Sequence, residues 1–150
     1  MSHTLHLKIV TPERLVLERM VDQVSIPTTQ GEITVLPKHI PLIAGLSSGD
    51  IVAVADGEVV PMAVAGGFVE AKQDEEKNTF VVILADFAEH VSELSEEVVE
   101  KAKARATELN KQRENEEIVD FEHFAVELER SLTRVRIAEK WRTKSRRHKQ

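Results

Sequence analysis

Residues 52–60 read Val-Ala-Val-Ala-Asp-Gly-Glu-Val-Val. Two runs of alternating, mostly β-favouring residues flank an Asp-Gly pair. Asp-Gly suits the two-residue hairpin turn, whose central positions both need positive φ. The stretch therefore predicts two antiparallel strands joined at Asp56-Gly57. The same period of two extends upstream. Leu5, Leu7 and Ile9 alternate with His6, Lys8 and Val10; Leu15 and Leu17 alternate with Val16 and Glu18; Val24 and Ile26 flank Ser25. Such alternation marks half-buried strands. Thr11-Pro12-Glu13 and Pro27 to Gly31 break these runs. Downstream, Ala65-Gly66-Gly67-Phe68 reads as a bend or bulge, Gln73 to Asn78 as a charged turn, and Thr79 to Leu84 as a buried strand. Many short strands with frequent turns predict a β-sandwich.

The pattern changes near residue 90. From Ser95 onward there is neither Pro nor Gly. Ser95 is a helix N-cap candidate, with Glu96 and Glu97 in the first turn where the dipole favours anions. Val98, Ala102, Ala106 and Leu109 then recur at helical spacing. Asp120 is a second N-cap candidate, with Val119 placed to pack on Phe124 as a hydrophobic staple. Phe121, Ala125, Leu128, Leu132 and Val135 form the apolar stripe of the second helix. Two such stripes, joined by Asn115 to Val119, predict an antiparallel helical hairpin. The fold class is α+β in two parts: an antiparallel β-sandwich over residues 1–88 and a helical hairpin over 89–150. The first helix buries mainly alanine, which releases little apolar surface at about 25 cal/mol per Å². The hairpin should be marginal alone and its docking on the sandwich reversible.

Composition narrows the chemistry. The 150 residues are 41% hydrophobic and 31% charged, as in ordinary globular proteins. Without cysteine there are no disulfides, thiolate nucleophiles or Cys-based zinc sites. Six histidines are scattered with no H-E-x-x-H spacing, and no phosphate loop or G-x-S-x-G elbow is present. These features predict no metal, no cofactor and no catalytic residues. No apolar run approaches the ~20 residues of a membrane span, and the N-terminus lacks a signal-peptide layout. The expected location is the cytoplasm, or a membrane complex reached through partners. The net charge is −6, but Ser131 to Gln150 hold eight Lys/Arg and one Asp/Glu, leaving 12 basic and 25 acidic residues before them. That basic end suits an acidic protein face, a membrane surface or nucleic acid. An alternative reading is thus a β-sandwich adaptor whose tail, with one aromatic in WRTKSRRHKQ, binds nucleic acid. Against it, the strands lack the aromatic spacing of an RNA platform and most of the chain is acidic. A sandwich hydrolase lacks any nucleophile constellation.

Gly31-Glu32-Ile33-Thr34-Val35-Leu36-Pro37-Lys38-His39-Ile40-Pro41-Leu42 gives the sharpest family signal. It is joined in order by Leu5 to Glu13, Val24-Ser25-Ile26-Pro27, Ala65 to Glu70 and Ile83-Leu84-Ala85-Asp86. Together these motifs resemble the epsilon subunit of the F-type ATP synthase, called delta in mitochondria. The resemblance covers nearly the whole chain. It implies a sandwich at the foot of the rotating central stalk, against the gamma subunit and the c-ring. It also implies a helical domain that folds on the sandwich, or extends along gamma into the alpha/beta catalytic head and inhibits ATP hydrolysis. The subunit would be non-catalytic and peripheral, on the cytoplasmic face of a bacterial inner membrane.

On this resemblance Glu32 would face the c-ring, and Lys38 and His39 would lie at the c-ring or gamma contact. Pro37 and Pro41 remove N–H donors, so His39 belongs to a loop or edge. The family often has Gly at the positions of Thr34 and Lys38, and a family glycine with positive φ would force Lys38 into strain or a reshaped turn. Arg130, Arg134, Arg136 and Lys140, with Arg142, would meet acidic loops of the beta subunits, or merely solvate a docked hairpin. Some bacterial members bind ATP through an Asp-x-x-Arg motif on the first helix. Here Ser95 and Val98 hold those positions, so no nucleotide site is expected, although Glu89, Arg130 and Arg134 match the accompanying residues.

Overall fold

A computed structural model describes residues 3–115 and 120–148, which fall into two compact units, Met1–His90 and Val91–Gln150. The first holds eight strands: β1 Leu5–Val10, β2 Leu15–Val21, β3 Gln23–Thr28, β4 Gly31–Val35, β5 Leu42–Gly45, β6 Gly49–Ala55, β7 Glu58–Gln73 and β8 Thr79–His90. They pair in the order β2-β1-β8-β7-β6-β3-β4, with β5 on β7. The sheet folds over itself into the expected sandwich. Leu5, Leu7, Ile9, Ile26, Ile51 and Ile83 lie fully buried in its core.

The predicted turn at Asp56-Gly57 links β6 to β7, with φ of 51° and 76° at its two residues. The Asp56 amide also donates to Asp22 Oδ2 at 3.0 Å. The predicted bend at Gly66-Gly67 lets one 16-residue strand serve two partners along the edge opposite β8. β6 pairs with Glu58 to Val64, and β5 with Phe68 to Ala71. All pairings are antiparallel except β1 with β8, which is parallel. No hairpin joins the first and last strands, so nothing local sets their relative direction. β3 also continues through Pro27, where the sequence suggested a break; Pro27 sits opposite Glu32 beside the edge strand β4.

Lys38 carries the backbone strain foreseen for it. The amide of His39 donates to Leu36 O at 3.1 Å, closing a turn with Pro37 second and Lys38, φ 70°, third. That is type II geometry, which favours glycine at the third position. Two long-range bonds hold it: the Lys38 amide donates to Thr79 Oγ1 at 2.7 Å, and Gln73 Nε2 donates to His39 O at 3.0 Å. Thr34 needs no such rescue, since its hydroxyl bonds that of Ser25 at 2.9 Å across the β3–β4 pair. Lys38→Gly should stabilise the chain by about 0.5–1 kcal/mol, relief of strain outweighing the extra freedom of the unfolded chain. Urea denaturation checks this; a lower midpoint for the glycine variant would contradict it.

The second unit opens with a 3-10 turn, Val91–Glu93, followed by α1 Glu96–Glu114 and α2 Phe121–His148. Ser95 caps α1 by accepting from the Val98 amide at 3.3 Å. Asp120 Oδ1 likewise accepts from the His123 amide at 3.1 Å. Most of the expected connection, and with it the Val119 staple, lies outside the described residues. Both stripes need correction. α1 buries Val99, not Val98, together with Ala102, Ala106 and Leu109. α2 buries Phe124, Ser131, Thr133, Ile137 and Ala138, while Phe121 and Leu132 are 68% and 50% exposed and Ala125 is exposed. Leu128 and Val135 are half-buried. A count of apolar residues passes over Ser131 and Thr133. A helical hydroxyl can satisfy itself on the carbonyl one turn back and so enter an interface. Among the described residues no buried side-chain polar atom lacks a partner.

Candidate functional site

The alternation that fills the core from one side of each strand leaves the other side outward. Leu15 pairs with Val10, Val10 with Leu84, Leu84 with Phe68, and Phe68 with Gly45. Directly opposed residues share a face, so these form one row across β2, β1, β8, β7 and β5. Phe68 is 63% exposed, Leu84 57% and Leu15 52%. Ile43, two residues from Gly45 and opposite Glu70, is 76% exposed. The adjoining rows are mixed: Glu18, Lys8, Val82 and Glu70 in one, Met20, His6, Phe80 and Lys72 in the next. There His6 Nε2 lies 3.2 Å from Glu18 Oε1, with its ring edge-on to Phe80 at 5.4 Å between centroids. The face is a band of large apolar side chains beside charged ones. Thr79 to Leu84 is therefore buried on one side only: Val81 and Ile83 point into the core, Leu84 out of it.

The turn after β4 supplies the other surface feature. Lys38 is exposed and His39 half-buried, with Leu36 and Ile40 exposed around them. His39 Nδ1 lies 2.6 Å from Ile40 O, so the ring is committed to local backbone. Glu32 is exposed near the start of β4, with the rest of that strand between it and Lys38. The structure thus joins Lys38 and His39 in one turn and sets Glu32 apart.

On α2 the expected cations do not form a single row. Arg130 and Arg134, one turn apart, are half-buried; Arg136 and Lys140, also one turn apart, are exposed. Positions 134 and 136 are about 200° apart around the axis, nearly opposite faces. Glu89 belongs to β8 of the first unit, Arg130 and Arg134 to the second. Among the described residues no cluster of three or more His, Asp or Glu could hold a metal ion. None of the described helices is long and apolar enough to cross a membrane.

Between α1 and α2 lies a forked ion pair. Arg105 Nε and its Nη2 donate to the two carboxylate oxygens of Glu127 at 2.5 and 2.9 Å, and Nη1 donates to Glu108 at 2.9 Å. These bonds hold the Glu127 carboxyl below its ordinary pKa and raise that of Arg105.

Residues 4–91, the sandwich and one residue beyond, match the family described as "ATP synthase, Delta/Epsilon chain, beta-sandwich domain". The chain is 40% identical over 135 residues to the ATP synthase epsilon chain of Halalkalibacterium halodurans, covering 90% of this chain and 97% of that one. The chain belongs to this family. It is also 37% identical over 137 residues to the ATP synthase epsilon chain of Nitratidesulfovibrio vulgaris strain Hildenborough, covering 91% and 97% of the two chains. Its fold resembles a chain in the Euglena gracilis mitochondrial ATP synthase structure (OSCP/F1/c-ring), with TM-score 0.62, 21% identity and 88% and 81% coverage. A chain of the Tetrahymena thermophila central stalk and c-ring gives TM-score 0.51 at 15% identity, covering 61% and 70%. As an epsilon chain it is a non-catalytic subunit.

Motif reading passed over Leu15, Ile43, Phe68 and Leu84 because each sits inside strand-like sequence. One signal was available. Val81-Val82-Ile83-Leu84 is apolar at consecutive positions, as in strands covered on both faces. In this chain the second face is open to solvent at Leu84.

Proposed function

We propose that the chain is the central-stalk epsilon subunit of a rotary proton-translocating ATP synthase, coupling the catalytic head to the c-ring through gamma. The observation that carries this is the apolar band of Leu15, Leu84, Phe68 and Ile43 on a sandwich whose interior is already full. Large apolar groups gathered on one face mark a protein-binding surface. Gamma is the occupant that the family provides. The turn bearing Lys38 and His39, with Glu32 on β4, faces the c-ring and the base of gamma. The enzyme holds the chain at the cytoplasmic face of a bacterial inner membrane through these partners.

The hairpin is regulatory. Arg136 and Lys140 are exposed, and Arg130 and Arg134 partly so, which suits acidic surfaces of the catalytic head. Extended helices hinder ATP hydrolysis, and folded helices permit it. The test is hydrolysis by the reconstituted complex with the chain truncated after His90, or with Arg130, Arg134 and Arg136 all changed to Ala. Both should hydrolyse ATP several-fold faster at low salt, with no loss of assembled enzyme. Equal rates across the wild type and both variants would leave a purely structural stalk subunit.

A further inference from the structure

The two helices of the second unit bury small side chains among a few large ones, Val99, Leu109, Phe124 and Ile137. α1 offers two alanines between Val99 and Leu109, and α2 includes Ser131 and Thr133 among its buried residues. Small side chains bring helices close but remove little apolar surface from water. Ion pairs bridge the helices, among them Arg105 to Glu127, and Lys103 Nζ to Glu139 Oε1 at 3.3 Å. The second is single-pointed, and Lys103 is shared with Glu100 at 3.7 Å. The first is a two-bond fork whose guanidinium is also braced by Glu108 on its own helix. Arg105 and Glu127 are each about one-third exposed, enough for dissolved ions to reach them. A planar fork fixes distance and register together, which a lysine does not.

We propose that Arg105 and Glu127 form a latch that holds α1 and α2 together, and that its release selects the separated, inhibitory arrangement of the helices. The pair stabilises only the closed hairpin, so its loss shifts the population by its own contribution and no more. His123 Nε2 lies 3.8 Å from Glu127 Oε2, a further titratable group against the fork. Because salt screens a partly exposed pair, the latch makes the helices responsive to ionic strength. The link to inhibition rests on the regulatory reading above; the latch itself does not.

The absence of cysteine makes the test direct. Ala104→Cys and Ala125→Cys, both at exposed positions, carry a pair of distance-reporting labels in the full chain, free and in the assembled enzyme. Arg105→Glu and Glu127→Arg should each raise the fraction of separated helices about five-fold, as expected for a partly exposed two-bond pair. ATP hydrolysis should fall in step. The double variant, with the charges exchanged, should restore both. Raised salt should move the wild type toward the single variants, a measurement that needs no altered latch residue should either variant lose its helices. Unchanged distances in folded single variants, a double variant that fails to recover, or a wild type indifferent to salt would each overturn the latch. Wider distances with unaltered hydrolysis would uphold the latch and overturn the inhibitory role.

Discussion

Gly67→Ala should cost the sandwich about 4 kcal/mol, enough to leave a domain of ordinary stability near its unfolding threshold. Two independent penalties meet there. Gly67 has φ 115°, a conformation that side-chain-bearing residues rarely adopt. A Cβ on it would also collide with the carbonyl oxygen of Leu84 and lie 2.9 Å from Ala85 Cα. Both are backbone atoms of β8, so relief would need part of the β7–β8 ladder to open. Gly31 provides the control. Its φ is 112°, yet a Cβ there meets nothing within 4 Å. Gly31→Ala should therefore show the conformational penalty alone, about 1–3 kcal/mol. Urea denaturation of the two variants separates strain from collision. Equal losses at both positions would refute the claim that close approach to β8 is what demands glycine at the bend.

Changing Phe68 and Leu84 together to Asp should leave the isolated chain folded and weaken gamma binding at least about 100-fold. Each side chain is more than half exposed, so the folded monomer loses little when it is shortened. In a docked interface the same groups become buried, where each contributes about 1.5–3 kcal/mol, and an unpaired carboxylate would add its own desolvation cost. The two residues are direct cross-strand neighbours, so they act as one patch and their effects will not simply add. Affinity for purified gamma and the thermal midpoint of the free chain provide the two readouts. Unaltered affinity with an unaltered midpoint would remove the outer face of β7 and β8 from the gamma contact. A collapsed midpoint would mean that these residues serve the fold after all.

Much of the architecture follows from interactions that act over a few residues. The Asp56-Gly57 turn, the bend at Gly66-Gly67, the caps at Ser95 and Asp120 and the change from strand to helix all appear where local chemistry places them. Positive φ, an absent Cβ and a capping oxygen are properties of one or two residues, legible without knowing what lies across the molecule. The strain at Lys38, φ 70°, was legible only through the resemblance, which places a glycine there, because Pro37 suits type I and type II turns alike.

Only the tertiary structure decided the rest. Periodicity says that alternate positions differ; it does not say which strands become neighbours, or whether both faces of an apolar strand are covered. Thus β1 lies parallel to β8, and Leu84 faces outward although its strand reads as buried. On α2 the apolar stripe of Phe121 and Leu132 is left to solvent while Ser131 and Thr133 are buried, and the Arg105–Glu127 fork joins residues 22 positions apart. These outcomes depend on the shape of the opposing surface and on groups brought together from distant positions. A chain read along its length carries the inclination of each segment, and the choice among compatible partners is made only when all of them compete for the same buried space.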